Sequence, residues 1–163
     1  MTGGTAPNFL LVEDDRMDIT IFKRAVSKVG LASPVHVANN GRGALDRLRR
    51  RTPEERVDRP LLIVLDLNMP LMDGFEFLAE LRSDPDLRDH VVFVLTTSLD
   101  PGDVQRAYGF NIAGYLTKSS SYEAFVTKVR LLSCYAGSVD LPRGSALPLP
   151  AAWDLPGALG PGA

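Results

Sequence analysis

Asp66 closes a run of branched apolar residues, Leu61-Leu-Ile-Val-Leu65, which lies between Pro60 and Pro70. An apolar run of that length reads as a strand buried on both faces of a parallel sheet. A carboxylate at its end costs roughly several kcal/mol unless a positive or hydrogen-bonding group meets it. Other strand-like runs end in suitable partners: Phe9-Leu-Leu-Val12 leads into Glu13-Asp14-Asp15, Val91–Leu95 into Thr96-Thr97-Ser98, and Ile112–Leu116 into Thr117-Lys118. Three carboxylates brought together, Glu13, Asp14 and Asp66, need a cation, and hard oxygen donors with room for waters suit Mg²⁺. Lys118 adds a second positive charge, which leaves a place for a multiply charged anion beside the Thr96 hydroxyl. Phosphoryl transfer needs little more, since it is mostly positioning and charge neutralisation. Asp66 would then be the acceptor, a carboxylate nucleophile forming an acyl phosphate.

The elements that must position these residues follow from periodicity. After the first strand, Ile19, Phe22, Lys23, Val26 and Val29 trace a helical stripe up to Gly30. Pro34–Ala38 reads as a second strand, Asn39-Asn40-Gly41 as a turn, Gly43–Arg51 as a helix and Thr52–Arg59 as a charged connector. Asp73-Gly74 reads as a structural turn before a helix carrying Phe75, Leu78 and Leu81, which stops near Ser83-Asp84-Pro85. Asp100-Pro101 opens the next helix, with Val104, Ala107 and Tyr108 as its stripe. Ser120 with Glu123 forms a capping box for the last helix, whose buried face is Phe125, Val129 and Leu132. Five strands alternating with five helices imply an open, doubly wound parallel sheet covered on both faces. Ligands of such sheets bind at the carboxyl ends of the strands, the edge where Glu13, Asp14, Asp66, Thr96 and Lys118 fall.

Composition narrows the class. The 163 residues carry a formal net charge of -2, which offers no general attraction to nucleic acid or to an anionic membrane. One cysteine, Cys134, excludes an internal disulfide framework and fits a reducing compartment, so a cytoplasmic location is expected. No apolar run approaches the roughly 18 residues of a membrane span, and the first residues lack a signal-peptide pattern. Arg47, Arg49, Arg50 and Arg51 read as a solvated helix end, and His36 and His90 as residues with no metal role. Cys134 reads as packed or incidental. From Ala136 onward proline and glycine alternate with small residues, which predicts an extended or disordered tail over 136–163, with Trp153 as an anchor.

Four stretches, Phe9-Leu-Leu-Val-Glu-Asp-Asp15, Leu65-Asp-Leu-Asn-Met-Pro-Leu-Met-Asp-Gly74, Val94-Leu-Thr-Thr97 and Gly114-Tyr-Leu-Thr-Lys118, resemble the receiver domains of two-component response regulators. The resemblance spans about residues 8–135, with 1–7 an N-terminal extension. It implies a flavodoxin-like receiver fold with strand order 2-1-3-4-5. It implies Asp66 as phosphoacceptor, Asp14 as a direct Mg²⁺ ligand (Mn²⁺ as an alternative), Glu13 acting mainly through water and the Asn68 main-chain carbonyl as a further ligand. Thr96 and Lys118 are implied as phosphoryl contacts, and Tyr115 as the aromatic whose rotation accompanies switching. Such a protein catalyses only its own phosphorylation and dephosphorylation. The family usually has proline after the lysine, in a cis peptide. Here Ser119 follows Lys118, and cis would cost about 2.5 to 4 kcal/mol instead of roughly 0.5 to 1, so trans is expected. The lysine-serine pair, the Asp18-Ile19 helix start, the long connector and Leu141-Pro142 are similar to the small regulators paired with bacterial and cyanobacterial phytochromes. That likeness implies a phytochrome histidine kinase as donor, and a homodimer through helix 4, strand 5, helix 5 and the C-terminal arm.

Taken singly, Glu13-Asp14-Asp15 is a helix cap, Asp66 a turn residue, Lys118 a surface lysine and Thr96 a strand-end hydroxyl. Their shared placement on one sheet edge carries the functional reading. Two alternatives stand beside it. A degenerate receiver serving only as a binding module would lack Mg²⁺-dependent phosphorylation. A phosphatase of the haloacid dehalogenase type would need a second acid where Asn68 stands. The short tail is expected to hold no separate output domain, so output is expected by protein contact or onward transfer.

Overall fold

In the computed structural model, which describes residues 6–49 and 57–144, strand and helix alternate five times. The strands are β1 (Asn8–Val12), β2 (Val35–Ala38), β3 (Leu61–Leu65), β4 (Val91–Thr96) and β5 (Gly114–Thr117). The helices are α1 (Arg16–Val29), α2 (Gly41–Leu48), α3 (Gly74–Ser83), α4 (Pro101–Gly109) and α5 (Tyr122–Ser138). All neighbouring strands run parallel, as the pattern of runs and stripes predicts, in the order β2-β1-β3-β4-β5 that the resemblance to receiver domains implies.

The period-two geometry of a strand sorts the core into two layers. Leu10, Val12, Ile63, Leu65, Val92 and Val94 face Ala44, Leu45, Phe77, Leu78 and Leu81 of α2 and α3. Phe9, Leu11, Leu62, Val64, Phe93 and Leu95 face Phe22 and Val26 of α1 and Phe125, Val129 and Leu132 of α5. The central strand β3 is buried at every position because both layers close over it, which explains an apolar run with no polar alternation. Side-chain caps start the helices: Asp15 accepts from the Met17 and Asp18 amides, Asn40 from Gly43 and Asp73 from Glu76. Gly30, at φ +77°, ends α1 in the left-handed conformation that glycine adopts without steric cost.

Several local expectations are corrected. The cap of α5 is Ser121, whose hydroxyl accepts from the Ala124 amide at 3.1 Å, and not Ser120. Three adjacent serines are equal in type, and the register that buries Phe125, Val129 and Leu132 selects the last of them. The helix continues to Ser138 instead of ending near residue 135, and Leu141 is buried against the α1–α5 layer, so the tail begins later than 136. The remainder of the expected tail, with Trp153, lies outside the described residues, as do Arg50, Arg51 and 52–56 of the connector. Helix α2 starts at Gly41. The end of the connector is not merely charged: Val57 enters the core, and Arg59 forks onto Asp89 with two contacts of 3.0 Å. Arg49 meets Asp84 at 3.3 Å, and Cys134 is exposed. No helix among the described residues is long and apolar enough to cross a membrane.

Candidate functional site

Glu13, Asp66 and Lys118 each stand one residue past a strand, yet their amides still bond the neighbouring strand. Glu13 N–H donates to Ala38 O at 3.0 Å, Asp66 N–H to Val12 O at 3.0 Å and Lys118 N–H to Thr96 O at 2.8 Å. Sheet pairing therefore fixes their Cα positions. Continuing the alternation, Glu13 follows the parity of Leu11, Asp66 that of Val64 and Lys118 that of Leu116, all residues of the α1–α5 layer. The three side chains meet on that side. The Lys118 ammonium donates to Glu13 Oε2 at 2.7 Å, to Asp18 Oδ2 at 2.7 Å and to Asp66 Oδ2 at 3.4 Å.

One ammonium among so many carboxylates leaves the site short of positive charge. Burial pushes the Glu13 carboxyl up to about 7; the Lys118 bond opposes this and the Asp66 charge reinforces it. Burial would lower the Lys118 ammonium, but the bonds to Asp18 and Glu13 and the Asp66 charge outweigh it and hold it above its usual range. Carboxylate oxygens of Glu13, Asp14 and Asp66 lie within 4.8 Å of one another, Glu13 and Asp66 buried and Asp14 exposed at the opening. This hard, anionic donor set with one open side fits a divalent cation. Exposed Asn68 follows two residues after Asp66, and its amide lies 3.4 Å from Asp66 Oδ1.

Thr96, fully buried at the end of β4, accepts from the Ser98 amide at 3.4 Å through its hydroxyl. The Tyr115 hydroxyl donates to the Ser98 carbonyl at 2.9 Å, so this ring is tied to the loop that leaves Thr96. Ser98 Oγ in turn donates to Asp103 Oδ2 on α4 at 2.6 Å, and the Tyr108 hydroxyl accepts from the Tyr115 amide at 3.3 Å. The segment joining β4, α4 and β5 is thus one hydrogen-bonded unit beside Thr96. The Lys118–Ser119 bond is trans, as expected for an X–Ser bond; the cis bond among the described residues is Arg59–Pro60.

Sequence reasoning placed Glu13, Asp14, Asp66, Thr96 and Lys118 on one edge; the structure brings Glu13, Asp14, Asp66 and Lys118 together there, with Thr96 at the end of β4 on the same edge. It missed Asp18 as a partner of Lys118. A signal was present: Asp18 stands one helical turn before Phe22, an acid at the head of α1's buried stripe. It also read Gly74 only as part of a turn. A Cβ there would stand 2.7 Å from Asp66 O and 2.7 Å from Leu67 Cα, so α3 touches the strand end that carries Asp66.

The family model for the response regulator receiver domain matches residues 9–130. The response regulator Rcp1 of Synechocystis sp. is 35% identical over 134 residues, 82% of this chain and 91% of Rcp1. The crystal structure of the phosphorylated cyanobacterial phytochrome response regulator RcpA superposes with a TM-score of 0.77 at 33% identity, covering 85% of this chain and 99% of that one. The Mn²⁺-bound form of Rcp1 gives a TM-score of 0.75 at 34% identity, covering 83% and 99%.

Proposed function

The chain belongs to the response regulator receiver family, and on that premise we propose that Asp66 accepts a phosphoryl group from a phosphohistidine of a phytochrome-type sensor kinase, with Mg²⁺ held by the acidic cluster. The observation that carries this reading is the placement of the buried Asp66 carboxylate, 3.4 Å from the Lys118 ammonium and within 4.8 Å of the Glu13 and Asp14 carboxylates. One Asp66 oxygen attacks phosphorus, and the new O–P bond forms as the P–N bond to the donor imidazole breaks. The bonding pair returns to the imidazole nitrogen. Lys118 donates to a phosphoryl oxygen, and the Thr96 hydroxyl, which only accepts in its contact with the Ser98 amide, donates its hydrogen to another. Asp14, Asp66 and the Asn68 main-chain carbonyl, with Glu13 acting mainly through water, would hold Mg²⁺ or Mn²⁺, which would supply neutralisation of the phosphoryl charge.

The phytochrome assignment of the donor rests on the likeness to the cyanobacterial phytochrome response regulator RcpA. Phosphorylation shifts a two-state equilibrium in which Tyr115 turns and the α4–β5–α5 face responds. The protein works as a signalling switch or relay intermediate in the cytoplasm and turns over no separate substrate; nucleic acid and membrane are not its partners. That face carries half-exposed Tyr108 and Leu131, which suits a homodimer completed by the C-terminal arm; a solution mass of one chain would remove the dimer from the proposal.

The test is the intact mass of the wild type and of Asp66→Asn after incubation with acetyl phosphate, with and without Mg²⁺. One added phosphoryl group in the wild type alone, and only with metal, is expected. Uptake by Asp66→Asn would take the acceptor role from Asp66. No uptake in any sample, including samples given an active phytochrome kinase and ATP, would leave a receiver fold that only binds.

A further inference from the structure

Lys118 holds more anchors than its contact with the acceptor requires. An ammonium has three N–H donors and no acceptor. Two are fully engaged, each at 2.7 Å, with Glu13 from the end of β1 and Asp18 from the first turn of α1. The third faces Asp66 Oδ2 at 3.4 Å, beyond the roughly 2.7–2.9 Å of a settled charge-assisted bond. We infer that Asp18 is a positioning residue for phosphoryl transfer: together with Glu13 it aims the third Lys118 donor at the Asp66 carboxylate, where the phosphoryl oxygens arrive. This rests on the acceptor role of Asp66 proposed above.

Geometry separates Asp18 from the metal-binding acids. The carboxylates of Glu13, Asp14 and Asp66 cluster within 4.8 Å, and Asp18 is not among them. Its own place is fixed, because its backbone amide donates to the cap carboxylate of Asp15 at 3.1 Å. The two anchors reach the ammonium from different elements, a strand end and a helix. A lysine stem is flexible, with four carbons between backbone and charge, and a single firm anchor would leave the ammonium free to turn toward water. The Asp18 side chain is 35% exposed against 4% for Glu13, and Lys118, 13% exposed, keeps Glu13 at 2.7 Å when Asp18 is replaced. A cavity of about 210 Å³, lined by Asp18, Lys118, Ser120 and Tyr122, leaves room for a longer acid at this position.

The experiment compares wild type, Asp18→Asn and Asp18→Glu in the rate of Mg²⁺-dependent phosphorylation by acetyl phosphate. The Lys118 ammonium is followed in each by its ¹H–¹⁵N signal without metal or donor. Asp18→Asn is expected to melt within a degree or two of wild type, to phosphorylate about tenfold more slowly and to show faster exchange of the Lys118 ammonium protons with water. Asp18→Glu restores most of the rate and the protected signal. A rate for Asp18→Asn equal to or above that of wild type overturns the inference while leaving Asp66 as acceptor; a higher rate would make Asp18 a competitor for the lysine. An unchanged ammonium signal overturns it as well, because the slower rate would then have another origin. A wild type that takes up no phosphoryl group overturns both this inference and the acceptor role on which it rests.

Discussion

Gly74→Ala is the smallest change that reaches the acceptor without altering any functional side chain. Gly74 is the first residue of α3, and a Cβ there would lie 2.7 Å from Asp66 O, 2.7 Å from Leu67 Cα and 2.9 Å from Leu67 Cδ2. Ordinary contact begins near 3.4 Å, so relief requires a displacement of 3.4 − 2.7 = 0.7 Å. Two of the three obstructing atoms are backbone, which no rotamer change can move. The strand end is itself held, since Asp66 N–H bonds Val12 O and Gly74 N–H bonds Leu67 O at 2.9 Å. Overpacking of this kind costs about 1–3 kcal/mol. Alanine regains less than the roughly 1 kcal/mol it is worth in a helix interior, because the site is the first turn. A net loss of about 1–2 kcal/mol is expected, read as a lower urea midpoint and a melting temperature lower by several degrees. The rate of phosphorylation by acetyl phosphate should fall too, because relief of the clash moves the Asp66 backbone. Gly109→Ala, where a Cβ meets nothing within 4 Å, is the control and should be neutral or slightly stabilising. A Gly74→Ala protein as stable and as readily phosphorylated as the control would refute the claim that contact between α3 and β3 sets the acceptor's position.

Two further outcomes follow from the same geometry. Glu13 titrates at about 7 in the folded chain against 4.5 in an unfolded one, so the folded state binds this proton more tightly. The stability it contributes is complete below about pH 4.5 and is lost as pH rises through 7, by up to about 3 kcal/mol. Melts in chelator across this range should fall more steeply for wild type than for Glu13→Gln, and parallel curves would show that burial does not hold the proton. Arg82 donates to the carbonyls of Phe110, Arg88 and His90 at 2.7 Å each and of Asn111 at 3.2 Å, joining the end of α3 to the turns before β4 and β5. Arg82→Met should cost about 2–4 kcal/mol in chemical denaturation, with Arg82→Lys recovering less than half because an ammonium lacks the planar fork. A lysine variant equal to wild type would show that charge alone suffices.

Local pattern was enough for the architecture and for most of the site. Apolar runs of strand length broken by helical stripes admit few arrangements besides a parallel sheet covered on both faces, and its functional edge is where runs end in unlike residues such as Asp66 and Lys118. The chemistry is carried by residue type: carboxylates at two strand ends and a lysine at a third are legible without coordinates. Distances of about 3 Å between chain segments a hundred residues apart are not, because they depend on how each crossover seats its helix. Asp18 meets Lys118 because α1 packs with α5 against the same sheet face. Gly74 needs to be glycine because α3 lies against the end of β3, a demand that a turn-like Asp-Gly pair does not disclose. The choice of Ser121 over Ser120, and the burial of Leu141 beyond the last helix, likewise depend on which register buries Phe125 and Val129. Periodicity limits which face of an element is buried; close packing decides which atoms on that face touch.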